Sequence, residues 1–190
     1  MKSRVVALSA VSAGFVALFL TLGAYISFID IFAVIIASVF VVLPMYLDSV
    51  LGSVLSYLAG GLIAFLLSGV NLFSLVWPSY FLFFGLLPIL NYLVEKKNFN
   101  KTAWFFIKLV WFLAVCALLV FYYLSVMNIE IEYVFSLFGR DFDLSGVANI
   151  ELIAGCALGL FCVIFFLVYD RFAVLSQRYV NKVLSRILKK

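Results

Sequence analysis

The sequence predicts an all-α membrane protein, with six transmembrane helices in one bundle and a basic amphipathic helix at the C-terminus. Hydrophobic residues make up 67% of the 190 residues and charged residues 12%, and the mean hydropathy is +1.27. An ordinary soluble domain is about half apolar and a quarter charged. Apolar stretches recur at lengths that cross a hydrocarbon core of ~30 Å. Basic residues cluster where six crossings bring them to one side of the membrane.

The first turn is predicted at Asp30, which is the only charged residue between Val5 and Leu47. As a single helix this segment would be about 65 Å long at 1.5 Å per residue, roughly twice the thickness of the hydrocarbon core. The chain is therefore expected to turn where its one carboxylate can reach water. This divides the segment into two spans joined at Asp30.

Polar turns divide the remaining chain into four further spans. A hydrophilic loop is expected at 95–101, and a longer extramembrane segment at 128–149. Residues 1–169 then form the transmembrane domain, and the tail 170–190 carries apolar residues on one helical face and basic residues opposite. That pattern is typical of a helix in the headgroup region, attracted by anionic lipid, although docking to a soluble subunit is an alternative. The predicted spans are residues 5–28, 31–47, 50–68, 72–94, 102–127 and 150–169.

The basic residues orient the spans. Six spans place both termini on one side, and twelve of the 13 Lys and Arg residues then share that side, with Arg140 as the exception. Cytoplasmic loops carry an excess of Lys and Arg. The expected location is therefore the cell membrane, with both termini in the cytoplasm.

Several kinds of chemistry are not expected from this sequence. It contains no histidine, which removes imidazole metal ligation and Ser-His or Cys-His catalysis. The phosphate-binding motif G-x-x-x-x-G-K-[ST] is also missing. Its three cysteines lie in apolar runs, where a thiol behaves as a small hydrophobe. We expect no enzyme activity, no cofactor, no metal and no nucleic-acid partner.

Polar and aromatic side chains at the predicted outer end are the candidates for binding a solute. Pro78 can interrupt the hydrogen bonding of the fourth span, and discontinuous helices often line substrate cavities in transporters. Flat aromatic faces with a few polar groups suit a small ring-containing solute. Taken singly, each aromatic residue is more often an interfacial anchor. The candidates are Asp30, Asn71, Trp77, Tyr80, Tyr123, Asn128, Arg140 and Glu151.

A stripe of small residues in the first span is a candidate for helix packing. Ser9, Ala13 and Ala17 follow one another at intervals of four, which lets two backbones approach closely in lipid. Internal packing within the bundle and packing against a partner protein are both open at this stage.

Together, the size, the six spans with both ends inside, the aromatic outer mouth and the Ala-x-x-x-Ala of Ala13 and Ala17 give a resemblance to a known family. The chain resembles the substrate-binding S component of an energy-coupling factor transporter. The resemblance implies capture of a vitamin or related micronutrient on the outer side. It further implies docking through the first span on a transmembrane coupling subunit that carries two ATPases.

A second interpretation comes from a different functional class. The chain is also similar in size and apolar character to the rod-shape protein MreD, a non-transport assembly protein. That interpretation would use the small-residue stripes to bind partner helices. Neither resemblance includes a fingerprint for a particular solute.

Overall fold

The computed structural model describes residues 3–26, 28–69, 74–126 and 150–188. Within these ranges the secondary structure is helical, which confirms the predicted all-α class. The predicted extramembrane segment at 128–149 lies outside the described residues. The elements are α1 Ser3–Tyr25, α2 Asp30–Phe40, a 3₁₀ helix Leu43–Leu47, α3 Val50–Leu67, α4 Val76–Ser79, a π-helix Tyr80–Phe84, α5 Leu86–Lys96, α6 Lys101–Val126 and α7 Ile150–Leu188.

Six helical segments of the described chain are long and apolar enough to cross a membrane, as the sequence predicted. They make this a multi-pass membrane protein. The second segment combines α2 with the 3₁₀ helix, and the fourth combines α4, the π-helix and α5. The segments are Ser3–Tyr25, Asp30–Leu47, Val50–Leu67, Val76–Lys96, Lys101–Tyr122 and Gly155–Ser185.

The turn predicted at Asp30 separates the first two spans in the structure. Helix α1 ends at Tyr25, and Asp30 is the first residue of α2. The Oδ1 atom of Asp30 accepts a hydrogen bond from the backbone N–H of Ile31 at 2.6 Å. A carboxylate in the first turn of a helix is favoured, because the backbone N–H groups there lack partners within the helix.

The chain forms two compact units. The N-terminal unit comprises Met1–Trp104 with Asp170–Lys190, and the central unit comprises Phe105–Tyr169. In the central unit, the ring of Phe112 lies 5.5 Å from the buried ring of Phe166. Aromatic pairs at such distances add to the packing of α6 on the first half of α7.

Small residues let α1 and α3 pack closely in the N-terminal unit. A Cβ atom on Gly60 would lie 2.6 Å from Val16 Cγ1 and 2.9 Å from the carbonyl oxygen of Ala13. The hydroxyl of Ser56 donates a hydrogen bond to the carbonyl of Ser9 at 2.9 Å. Glycine is therefore required at position 60 to bring the two helices together, and the serine adds an interhelical hydrogen bond.

A polar cluster of Asp48, Tyr92 and Lys96 lies at the turn between the second and third spans, at the opposite end of these spans from Asp30. Asp48 adopts a left-handed conformation, with φ of 53°, after the 3₁₀ helix. Its carboxylate accepts a hydrogen bond from the Tyr92 hydroxyl at 2.5 Å and lies 3.7 Å from the Lys96 ammonium. The Tyr92 hydrogen bond, followed by the Lys96 charge, holds the pKa of the Asp48 carboxyl below its ordinary value.

The last helix continues past the predicted end of the sixth span. Helix α7 runs without a break from Ile150 to Leu188, so the span and the tail form one helix. Ala173 is buried, and Gln177 Nε2 donates a hydrogen bond to the carbonyl of Pro88 at 3.0 Å. This part of α7 thus packs against α5, and its position in the headgroup region stays a prediction.

Candidate functional site

The fourth span changes its helical geometry in the middle. The backbone N–H of Gly85 donates to the carbonyl of Tyr80, five residues back, at 2.9 Å. Pro88 explains why a regular α-helix is disfavoured here, because its ring crowds the carbonyl of Phe84 and it has no N–H. Widening the preceding turn by one residue is a known way to accommodate such a position, and π-turns of this kind are frequent at functional sites.

A tyrosine of α3 satisfies the carbonyl that the wide turn leaves without its usual donor. In an α-helix the carbonyl of Phe81 would accept from the N–H of Gly85, which here bonds to Tyr80. The hydroxyl of Tyr57 donates to the Phe81 carbonyl instead, at 2.8 Å. The hydroxyl of Tyr80 in turn donates to the carbonyl of Tyr57 at 3.3 Å. Helix α3 and the π-helix are therefore joined by two hydrogen bonds.

Aromatic rings surround this pair of hydrogen bonds. The ring centroids of Tyr57 and Tyr80 are 5.3 Å apart, and Phe81 lies edge-on to Tyr57 at 5.7 Å. A Cβ atom on Gly61 would come within 2.6 Å of the Phe81 ring, and one on Gly85 within 2.6 Å of the Tyr57 ring. The two glycines thus provide the space in which the rings lie. We call Trp77 to Gly85, together with Tyr57, Gly61 and Phe65 of α3, the aromatic break.

Trp77 has an unusual polar environment within the aromatic break. Its side chain is only 4% exposed, and the Phe65 ring lies edge-on to it at 5.4 Å. Its Nε1–H is buried and has no hydrogen-bond acceptor among the described residues. Trp104 provides a contrast, because its Nε1–H donates to Asn91 Oδ1 at 2.8 Å. The buried indole N–H of Trp77 is therefore a donor without an acceptor in this part of the chain.

The structure places three of the predicted solute-binding residues with described side chains. Asp30 is partly exposed at the start of α2, at the same end of the N-terminal unit as Val76, since both lie near Gly23. Trp77 and Tyr80 are buried, and their role in binding a solute stays a prediction. Phe65 of α3 packs on Trp77, and Tyr57 and Gly61 of α3 lie against Tyr80, contacts that hydropathy alone does not reveal.

The other five candidates cannot be placed in the same way. Asn71, Asn128 and Arg140 lie outside the described residues. Tyr123 belongs to α6 and Glu151 to α7, at positions where the structure describes the helix and not the side chain.

Tyr57 and Phe81 complete the aromatic break, and sequence reasoning did not select either of them. The available signal was the position of Tyr57 in α3. There a single tyrosine follows Ser56 and precedes Gly60 and Gly61. A polar hydroxyl among small residues in a membrane span indicates a hydrogen-bond partner on a neighbouring helix.

The small-residue stripe of α1 packs inside the chain. Ser9, Ala13 and Ala17 are all buried, on the face that meets α3. Of the two alternatives left open by the sequence, the structure favours internal packing, because a partner helix would have to displace α3 to reach these residues. Gly14, beside the stripe, is exposed and a Cβ atom there would contact nothing within 4 Å.

No group of three or more His, Cys, Asp or Glu residues in the ranges that the structure describes could hold a metal ion. Comparisons with protein families, with curated proteins and with solved structures gave no match to this chain.

Proposed function

We propose that this protein is a membrane-embedded subunit that binds a small, ring-containing micronutrient, such as a vitamin, for uptake. The observation that carries the proposal is the buried indole N–H of Trp77, which packs against the Phe65 ring and has no acceptor in the described chain. A solute with a flat ring and an acceptor atom would complement both features. The aromatic break would supply the binding surface.

The free-energy cost of leaving the Trp77 N–H unpaired supports a solute that supplies its acceptor. A buried polar group without a hydrogen bond destabilises a protein by about 1–3 kcal/mol, and most buried donors are paired. A solute that supplies the acceptor for Trp77 would recover that free energy on binding. The aromatic faces of Phe65 and Tyr80 would contribute the apolar contact.

The π-turn indicates how the buried site could open to admit a solute. Trp77 and Tyr80 are buried, so binding requires movement of the fourth span relative to α3. A π-turn is a local departure from the α-helix, and interconversion between the two shifts the helix by one residue. Solute capture is therefore proposed to accompany a rearrangement at Tyr80–Phe84.

Energy for uptake would come from partner subunits, in line with the resemblance to the S components of energy-coupling factor transporters. A transmembrane coupling subunit with ATPases would hydrolyse ATP. The protein would lie in the cell membrane with both termini in the cytoplasm, and capture would occur at the extracellular side. Asp30, close to the α4 end of the unit, would then lie at the entrance.

Tryptophan fluorescence tests the proposal on the purified protein. Thiamine, riboflavin, biotin and folate are titrated separately, and at least one is expected to change the emission in a saturable way. The Trp77→Phe variant should lose this response, whereas Trp104→Phe should keep it. No saturable response to any of the four compounds, with Trp77 folded and emissive, would count against the proposal.

An assembly function like that of MreD is the second candidate, and one observation favours it. Gly14 in α1 and Gly155 and Gly159 in α7 are exposed, with open space where a Cβ atom would lie. Exposed small residues on a membrane helix allow close approach of a partner helix. Gly159→Leu should then abolish co-purification with a membrane partner, and Leu160→Ala on another exposed position should not.

A further inference from the structure

An apolar groove runs along the N-terminal unit between α2 and the second half of α7. Its volume is about 530 Å³, within the range of ~300–1,000 Å³ typical of small-molecule sites. We call it the α2–α7 groove. Its main walls are Ile36, Val39 and Phe40 of α2 and Phe172, Leu175 and Tyr179 of α7.

Both walls of the groove belong to segments that can cross a membrane. Helix α2 is part of the apolar segment Asp30–Leu47, and the α7 wall lies within Gly155–Ser185. Leu175 is 62% exposed and Tyr179 69% exposed, so apolar surface lines an open groove. The stretch of α7 along the groove is about 12 Å long, close to half of the ~30 Å hydrocarbon core.

The position of the α7 wall is fixed by contacts on its other face. Gln177 donates to the carbonyl of Pro88 at 3.0 Å, and Ala173 is buried. Phe172, Leu175 and Tyr179 lie on the opposite side of the helix from Gln177 and Ala173. The groove is therefore a feature of the packed unit.

Positive charge lies beside the groove. Arg178 and Lys182 are exposed, and Lys182 follows Leu175 by seven residues and Tyr179 by three, which places all three along one side of the helix. Asp170 is the one acidic residue between positions 170 and 185, and it is buried. The exposed charges along this edge of α7 are cations. They complement an anionic group positioned at the end of the groove.

We propose that the α2–α7 groove binds an anionic phospholipid, with an acyl chain in the groove and the phosphate group against Lys182 and Arg178. The apolar walls would bind the chain of any phospholipid of the same leaflet, and the two cations would select for net negative charge. A basic residue near an anionic membrane surface contributes about fivefold to such a preference. In this proposal the two cations make binding specific for anionic headgroups, and the groove retains the lipid by its acyl chain.

Native mass spectrometry of the purified full-length protein tests this proposal. The protein in detergent is titrated with 1-palmitoyl-2-oleoyl phosphatidylglycerol or with the phosphatidylcholine of the same chains, and glycerol phosphate serves as the headgroup without chains. Wild-type protein should bind phosphatidylglycerol more tightly than phosphatidylcholine, and it should not retain glycerol phosphate. Lys182→Gln should reduce the preference roughly fivefold. Lys97→Gln, an exposed cation in the loop after α5, should not change it.

A second variant tests the groove itself. Val39→Trp would fill it and should reduce binding of both lipids, with folding checked by the thermal melting of the variant. Equal binding of the two lipids by the wild type would overturn the proposal, as would a preference that Lys182→Gln leaves unchanged. Detection of a lipid-free dimer that Val39→Trp disrupts would assign the groove to a second copy of the chain, and would overturn it too.

Discussion

The α1–α3 interface and the aromatic break bring helices of the same unit together in different ways. At the interface, Gly60 admits Val16 with no room for a methyl group, and the serine hydroxyl of Ser56 is paired. At the break, large rings meet, the helix widens, and the Trp77 N–H has no acceptor among the described residues. Tight packing with a paired hydroxyl serves a fixed contact. Packing that leaves a donor unpaired suits a region that binds another molecule.

The largest effect is expected from a methyl group at the tight interface. Gly60→Ala would place its Cβ 2.6 Å from Val16 and 2.9 Å from the Ala13 carbonyl, so the helices must separate. Overpacking of this kind should lower the free energy of unfolding by about 1–3 kcal/mol, measured by thermal or denaturant unfolding in detergent.

Gly14→Ala is the matched control on the exposed face of α1. A Cβ atom there contacts nothing within 4 Å, and alanine is the better helix former, by about 0.5–1 kcal/mol. The control should be neutral or stabilising. If Gly60→Ala were equally harmless, the close approach of α1 and α3 would be wrong.

The next effect concerns the hydrogen bond that supports the π-turn. Tyr57→Phe removes the hydroxyl that donates to the Phe81 carbonyl at 2.8 Å and should destabilise the protein by about 1 kcal/mol. Tyr80→Phe removes a longer bond of 3.3 Å and should have a smaller effect. Unfolding measurements that reverse this order would contradict the assigned role of Tyr57.

The next comparison is between a tryptophan with a paired indole N–H, Trp104, and one with an unpaired indole N–H, Trp77. Trp104→Phe leaves Asn91 without its 2.8 Å partner and should lower stability by about 1 kcal/mol. Trp77→Phe removes an unpaired donor, so the loss of ring volume is offset and the net change should be smaller. A larger loss at Trp77 in the same unfolding assay would contradict this order.

The smallest effect is expected at Asp48, in the cluster at the opposite end of the unit from Asp30. Its carboxyl has a lowered pKa in the folded protein, because of the Tyr92 hydroxyl and the Lys96 charge. A lowered folded pKa stabilises the protein above the ordinary pKa of aspartate, about 4, and that contribution is lost as the pH falls through the folded value. Melting temperatures of Asp48→Asn should therefore depend less on pH below about 4 than those of the wild type.

Hydropathy and charge predicted the spans well, and side-chain packing set the limit of prediction. Asp30 predicted the first turn because one carboxylate in an apolar stretch must reach water. The burial of Trp77 and Tyr80 involves Phe65 and Gly61 of another helix, and a single sequence does not show which helices are neighbours. Likewise, the stripe of Ala13 and Ala17 indicates close packing without naming the helix that it contacts.

The π-turn and the continuous α7 illustrate the same limit. Pro78 predicted an irregularity in the fourth span; it lies in α4, and the wide turn follows at Tyr80–Phe84, where the Tyr57 hydroxyl satisfies the displaced carbonyl. The basic residues after Tyr169 predicted the end of a span and an amphipathic helix beyond it, and helix α7 runs through both without a break as far as Leu188. Charged residues indicate where a span leaves the membrane, and they do not determine where a helix ends or widens.

The indole N–H resonance of Trp77, observed by NMR, tests the central claim most directly. Thiamine, riboflavin, biotin and folate are added in turn to the purified protein, with the Trp104 indole as the internal reference. A bound solute should shift the Trp77 resonance as its N–H gains an acceptor, and the Trp104 resonance should stay in place. A Trp77 resonance unmoved by all four compounds, or a solute that shifts both indoles equally, would contradict the account.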